Sequence, residues 1–316
     1  VTVYGNGFNS PMYNAVIHFG TTLNIKRMDI TGGSFTLTFT IDTQPYGTTT
    51  IIATDNISDT PPPLPATAAI TFVVQPNIIG INPTEGTVGS SITVKGNGYG
   101  ATEVISIVFG TENTITTVTS TAYGSWTAIF TINTQVHGIT TIVAVGSDTG
   151  QSFATYTFKI RSEIILTTPT KGIVGTVITV RGNGYSSNEQ VHILFGTNKT
   201  IAITTAETNG SWTTTFTIDS QPYGTTTIFV IGLNSQDGTS TLITILPFIT
   251  AVNPNSGTVG ASIQVSGTGF GKFESIRLQF GTNPTRTIWE VPIDGSDANG
   301  KFTESFTIDE QPYGTT

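Results

Sequence analysis

Apolar and polar positions alternate with a period of two along most of this chain. In the segments that end Phe-Gly-Thr, apolar residues step back from the phenylalanine by twos. They are Ile17 and Ala15 behind Phe19, Ile107 and Ile105 behind Phe109, Ile193 and Val191 behind Phe195, and Leu278 and Ile276 behind Phe280. The positions between them are mixed: Val16 and His18, Ser106 and Val108, His192 and Leu194, Arg277 and Gln279. A later segment places Trp212, Thr214, Phe216 and Ile218 on one face and Thr213, Thr215 and Thr217 on the other. One buried face and one wet face is the pattern of antiparallel strands. No stretch carries a helical period, so the pattern predicts an all-β chain.

The strands recur. Four segments end in Gly-x-Gly-aromatic: VTVYGNGF, ITVKGNGY, ITVRGNGY and IQVSGTGF, closing at Phe8, Tyr99, Tyr185 and Phe270. Each is followed by a Phe-Gly-Thr strand, and then by a strand that opens on Phe35, Trp126, Trp212 or Phe302 and closes on Ile41, Ile132, Ile218 or Ile308. A fourth mark, QPYGTT, begins at Gln44, Gln221 and Gln311, and has drifted to QVHGIT at Gln135. From the strand-opening aromatic to the glycine of this mark the distance is 12 residues in every copy, whereas the stretch before that aromatic runs from 16 to 22. Fixed spacing within paired strands and variable spacing between them is what loops on a rigid framework produce. The period of 85 to 91 residues exceeds any solenoid unit and suits a sandwich of about seven short strands. The expected domains are residues 1–76, 77–163, 164–248 and 249–316.

Composition sharpens this picture. Charged residues make up 10%, and threonine alone is about a fifth of the chain. β-Branched threonine suits the solvent face of a strand, so the outer faces are hydroxylated rather than charged. The net charge is −8, and the 12 basic residues are scattered singly. Nucleic acid is therefore a poor partner, because a phosphate-tracking surface needs clustered Lys and Arg. No apolar run is long enough to span a bilayer in this segment. With no cysteine there are no disulfides and no thiolate chemistry.

The joints read VVQPNIIGINP, KIRSEIILTTP and ILPFITAVNP. None is a flexible tether, and apolar residues cross each seam, so a semi-rigid rod of domains is expected. The Pro-rich stretch 61–65 reads as a stiffened loop inside the first repeat. The first repeat lacks the segment matching 79–91 of the second, and the last lacks the strands matching 227–245 of the third. Two accounts fit: an excerpt from a longer array, which is the simpler, or neighbouring copies that complete one another by strand exchange.

An apolar strand followed by Pro, Gly-x-Val-Gly, an Ile-x-Val-x-Gly strand and then Phe-Gly resembles the IPT/TIG family of immunoglobulin-like domains. The residues that carry it are Pro83, Gly86, Val88, Gly89 and Phe109; Pro169, Gly172, Val174, Gly175 and Phe195; and Pro254, Gly257, Val259, Gly260 and Phe280. The resemblance implies tandem immunoglobulin-like β-sandwiches and, for a chain this poor in charge, a prokaryotic cell-surface protein of the S-layer, filament or adhesin type. Fold alone does not give function.

Candidate sites are few. The Gly-x-Gly loops lack the following helix that a phosphate cradle needs, and read as tight turns with positive φ at Gly96 or Gly98. His18, His137 and His192 lie in different repeats, too dispersed for zinc. The loop 294–300 clusters oxygens, with Asp294, Asp297 and Asn299 as a weak Ca²⁺ set; turn chemistry is the plainer reading. Tyr46, Tyr223 and Tyr313 fall where sandwich folds place a tyrosine corner. Asp42, Asp219 and Asp309, with Asn133 in the second copy, read as turn caps rather than halves of a catalytic pair. Asn56, Asn198 and Asn209 open glycosylation sequons. Glu304 stands on an inward face where its counterparts are Leu37, Ala128 and Thr214, which marks it for a contact with a neighbouring chain.

Nothing here resembles catalytic machinery, and no cofactor is implied. The expectation is an extracellular, cell-surface structural segment that assembles with copies of itself. The alternative is an adhesin module that binds a glycan or surface protein through its variable loops. A third reading makes the domains spacers beside an enzyme encoded elsewhere in the gene.

Overall fold

The computed structural model describes residues 1–8, 14–30, 32–56, 67–151, 155–280, 287–290, 295–308 and 310. Every regular element among them is a β-strand. The chain divides into two compact units. The first comprises Val1–Ile132 with Ile139–Lys159, and the second comprises Asn133–Gly138 with Ile160–Thr316.

The second unit shows the repeat most fully. Strands Glu163–Thr168, Val177–Asn183 and Trp212–Thr217 form a three-stranded antiparallel sheet. Facing it is a five-stranded sheet in the order Lys171–Gly172, Gly238–Ile245, Gly224–Gly232, Gln190–Phe195, Asn198–Thr205. Its ladders are antiparallel apart from the first pair, which is parallel. Ile178 and Val180 from one sheet meet Val191, Ile193, Ile228, Val230, Ile243 and Ile245 from the other, all fully buried. The expected inward positions of the Phe-Gly-Thr strands are buried in all four repeats except Phe280, which is half-buried, as are Thr214 and Ile41 of the later strands. Period-two patterning fixes that outcome, because slipping a strand by one residue would turn its threonine face into the core.

Two aromatic pairs recur in each sandwich. The Gly-x-Gly aromatic meets the aromatic that opens the third marked strand: Phe8–Phe35, Tyr99–Trp126, Tyr185–Trp212 and Phe270–Phe302, with centroids 5.1 to 5.7 Å apart. The Phe-Gly-Thr phenylalanine reaches across to a phenylalanine of the facing sheet: Phe19–Phe39, Phe109–Phe130, Phe195–Phe216 and Phe280–Phe306. Tilted and edge-on geometry suits the ring quadrupoles.

One segment closes the side of each complete sandwich. Glu163–Thr168 runs antiparallel to Val177–Asn183, the chain turns through Pro169, and Lys171–Gly172 then joins the other sheet beside Gly238–Ile245. The first unit repeats this with Asn77–Asn82 on Ser91–Asn97, followed by Glu85–Thr87 beside Tyr156–Arg161. The remaining two sandwiches are less enclosed. Among the described residues of the first unit, Thr2–Asn6 pairs only with Ser34–Thr38, and the facing sheet runs in the order Thr22–Asp29, Asn14–Phe19, Gly47–Asn56, Thr67–Val74. In the second unit Phe248–Asn253, Ser262–Thr268 and Phe302–Thr307 form one sheet, opposite the pair Arg277–Gln279 and Thr287–Glu290.

Candidate functional site at the repeat joints

Successive repeats meet at the Gly-x-Gly-aromatic loop. Within the first unit the backbone N–H of Tyr46, in the QPYG turn, donates to the carbonyl of Tyr99 at 2.9 Å; within the second, Tyr223 N–H donates to Phe270 O at 2.8 Å. The turn Asn133–Gly138 belongs to the second unit as well, and there His137 N–H donates to Tyr185 O at 3.1 Å. The same backbone latch therefore occurs three times, whatever side chain the donor carries.

Absent Cβ atoms make the latch possible. Gly98, at φ +74°, lies so close to the connecting segment that a Cβ would stand 2.2 Å from Gln75 O; at Gly184 and Gly269 the distances to Arg161 O and Leu246 O are each 2.3 Å. The turn glycines Gly124, Gly210 and Gly300 flank the same carbonyls. A Cβ on them would lie 2.1 to 2.4 Å from Tyr99 O, Tyr185 O or Phe270 O, and 2.9 to 3.0 Å from the Cα of Pro45, Val136 or Pro222. Of the two glycines expected to adopt positive φ, Gly98 does. Gly96 serves differently: its Cβ would stand 2.4 Å from the Trp126 ring.

A carboxylate four residues after the aromatic locks each loop. Glu103, almost fully buried, accepts the amides of Gly100, Asp148 and Thr149 at 2.6 Å each. Glu189 accepts those of Ser186, Asn234 and Ser235, and Glu274 accepts that of Gly271. Burial alone would push the Glu103 carboxyl up, but the amides of Thr149, Asp148 and Gly100 outweigh it and hold the group below the ordinary carboxylate range. Sequence reasoning missed these residues, although the spacing Tyr99–Glu103, Tyr185–Glu189 and Phe270–Glu274 was there to be read.

The QPYG turn has its own anchor. Gln44, Gln135 and Gln221 are buried. Gln44 Oε1 accepts Thr21 N–H at 3.1 Å, while its Nε2 donates to Asp42 Oδ1 at 3.1 Å; Gln221 Nε2 donates to Asp219 Oδ1 at 2.8 Å, and Gln135 Nε2 to Asn133 Oδ1 at 2.9 Å. The recurring acid or amide thus orients a buried glutamine two residues on. The tyrosine-corner expectation is corrected here: the Tyr46 and Tyr223 side chains are exposed, and Tyr313 lies outside the described residues. The buried tyrosines are Tyr99 and Tyr185; Tyr99 Oη donates to Ala144 O at 3.1 Å.

Within the second unit, where a histidine replaces the latch tyrosine, an ion cluster is added. Arg161 Nε and Nη2 grip Asp237 at 3.0 and 2.9 Å, Ser162 N–H donates to the same carboxylate at 2.9 Å, and His137 Nε2 lies 3.4 Å away. Burial would raise the Asp237 pKa. The guanidinium of Arg161, the Ser162 amide and His137 lower it on balance.

The other candidate residues disperse. His18 Nδ1 accepts Asn24 N–H at 3.2 Å, and His192 is half-buried on its strand. Asp297 Oδ1 accepts the amides of Asn299 and Lys301 at 2.8 and 2.9 Å, closing a turn; Asp294 and Asp309 lie outside the described residues, as does the stretch 61–65. Among the described residues no group of three His, Cys, Asp or Glu could hold a metal ion. Asn209 is exposed in a turn, and its Oδ1 accepts Ser211 N–H at 3.0 Å; the side chains of Asn56 and Asn198 lie outside the described residues. Glu304 is half-buried between Phe302 and Phe306 on the inward face. Among the described residues no helix is long and apolar enough to cross a membrane.

These sheets and joints make the chain a tandem array of immunoglobulin-like β-sandwich domains. Residues 247–296 match the family model of the IPT/TIG domain, in agreement with the motif read from sequence. No curated protein matches the chain. Among solved structures, the adhesin InvE of Yersinia pseudotuberculosis is similar with a TM-score of 0.27 and 14% identity over 64% of this chain, which spans 64% of that one. The SGBP-B protein of the Bacteroides ovatus mixed-linkage glucan utilization locus gives 0.25 and 13% over 94% of this chain and 83% of its own. The ICAM-5 D1–D4 ectodomain fragment gives 0.24 and 12%, over 98% and 87%.

Two outcomes follow from the joint. Gly210→Ala should destabilise the second unit and speed hydrogen exchange at the His137 amide. Gly175→Ala, at φ +93° with open space around it, should carry only the backbone strain and leave that amide protected. Glu103→Gln should lower stability at neutral pH by about 1–3 kcal/mol, since it turns donors toward donors. Because the folded-state pKa of Glu103 is depressed, its contribution is full above the unfolded value of about 4.5 and is lost as pH falls through the folded value. The gap between wild type and variant in denaturant titrations should therefore close on acidification; a gap independent of pH would contradict the assignment.

Proposed function

We propose that this chain is an extracellular structural segment of a cell-surface assembly, a filament, sheath, S-layer or stalk, with copies of itself as partners. The observation that carries this reading is the backbone latch repeated at Tyr46, His137 and Tyr223. A joint closed by main-chain hydrogen bonds and glycine contacts spaces domains regularly and leaves their outer faces free to vary. The role is non-catalytic, and the hydroxylated strand faces suit a surface exposed to the medium. Electron microscopy of the cell surface or of the purified chain at high concentration should show regular fibres or sheets; a chain that remains monomeric across that range would overturn the proposal.

One observation favours the second reading, an adhesin module for glycans. In the first unit Thr21, Thr22, Asp42, Thr43, Tyr123 and Ser125 line a shallow cleft of about 540 Å³. Tyr123 is exposed beside these hydroxyls, and an aromatic face next to polar acceptors suits a sugar ring. Saturable binding on a glycan array that is lost with Tyr123→Ala would establish it, and an array without binding would dismiss it.

A further inference from the structure

One side chain of the second unit sits where neither backbone preference nor burial would put it. Phe273, three residues after the loop aromatic Phe270, holds φ +52°. Its counterparts Thr102 and Asn188 both hold φ +56°, so the turn imposes the left-handed conformation on whatever residue stands there. Asparagine accepts that conformation readily, whereas a bulky ring is strained in it. Core burial does not explain the ring either, since Phe273 is 52% accessible. Strain that the fold does not need points to a ligand.

The ring borders a cleft of about 630 Å³, which it shares with Ser296, Asp297, Lys301, Phe302 and Thr303. Phe273 N–H donates to Asp297 O at 3.4 Å and so joins the two loops. In the second repeat Thr102 N–H donates to Thr121 O at 3.3 Å in the same way. Thr102 and Thr121, and Asn188 and Glu207 of the third repeat, are exposed like Phe273 and Asp297. An open face between these loops therefore belongs to the enclosed sandwiches too, and only the side chains set the fourth repeat apart. Asp297 Oδ1 is occupied by the amides of Asn299 and Lys301. Among the described residues its Oδ2 and Lys301 Nζ have no partner, and both side chains are exposed. Lys272 Nζ lies 5.3 Å from the centre of the Phe273 ring, which keeps a further donor beside the cleft.

We propose that Phe273, Asp297 and Lys301 form a binding site for a neutral pyranose, such as a hexose unit of a polysaccharide. The exposed ring takes the C–H face of the sugar, an apolar surface set beside polar groups. Asp297 Oδ2 accepts a sugar hydroxyl, and Lys301 Nζ donates to a neighbouring oxygen. Charge decides between neutral and acidic sugars. The four charged side chains of these loops, Lys272, Glu274, Asp297 and Lys301, cancel, and the chain as a whole carries −8, so its field repels a polyanion. The cleft at Tyr123 lies in the other unit, and this site does not depend on the assembly reading.

Phe273→Asn copies what Asn188 already does at the same turn position, and it separates a binding role from a structural one. The full chain should be retarded in native gels cast with a neutral gluco-, manno- or galactopolysaccharide. Phe273→Asn should abolish that retardation while the denaturant midpoint stays equal or rises, because asparagine relieves the strain. Lys301→Ala should weaken apparent affinity about tenfold at unchanged stability. The proposal is overturned if no neutral gel retards the wild type, if only alginate or pectate gels do, or if Phe273→Asn still binds. A lowered midpoint in Phe273→Asn overturns it as well, since the ring would then be serving the fold. Retardation that is lost with Tyr123→Ala but kept in Phe273→Asn moves the sugar to the first unit, which sinks this site and leaves the glycan reading standing.

Discussion

The joint depends on main chain coming closer to main chain than a side chain would allow. At Gly98, Gly184 and Gly269 the connecting segment presses its carbonyl into the space of a missing Cβ, and Gly124, Gly210 and Gly300 admit the next turn from the other side. Once these approaches are made, the aromatic between them has nowhere to go but inward, where it meets the tryptophan or phenylalanine of the neighbouring strand. The loop then turns its amides onto one acidic side chain. Core, loop and joint are thus consequences of one steric permission at Gly98, Gly184 and Gly269.

Backbone contacts of this sort tolerate change in the side chains around them. Tyr46 and Tyr223 become His137 without loss of the N–H donor. The change brings an imidazole to Asp237, already clasped by Arg161, so one joint gains charge chemistry that Gln75 and Leu246 do not offer at the corresponding carbonyls. A chain with 10% charged residues can form ordered joints because main-chain hydrogen bonds and apolar burial, not ion pairs, supply most of the association. Exposed ion pairs would add little in any case.

Much of the fold was legible in the sequence because alternation and repetition are linear signals. Ile105, Ile107 and Phe109 announce a buried face by spacing alone, and Trp126 and Phe130 do the same for the sheet opposite. The joint was legible only in part. Glu103 and Glu189 look like ordinary surface acids until the chain closes and brings amides from 45 residues away. Gln44 and Gln221 are of a type normally exposed, so their burial shows only when Asp42 and Asp219 are seen to hold the amide. The tyrosine corner failed for a related reason. The third repeat carries a tyrosine at both the loop and the turn, and the rule for the buried one was applied to Tyr223 when the loop glycines had already committed Tyr185 to the core.

The side of each sandwich poses the opposite problem to its joint. A joint satisfies backbone groups locally, whereas the side strand leaves a row of N–H and C=O groups that must find a partner. Glu163–Thr168 and Lys171–Gly172 meet that demand by serving both sheets in turn, with Pro169 at the crossing, where a missing N–H costs no ladder bond. One segment thereby decides whether a domain is closed or open. Thr2–Asn6 with Thr67–Val74 lacks such a segment among the described residues, while Phe248–Asn253 has only half its complement. An array built on this repeat carries its means of lateral closure in a single strand–proline–strand element, so that element, more than any surface loop, sets where one folding unit stops and the next contact begins.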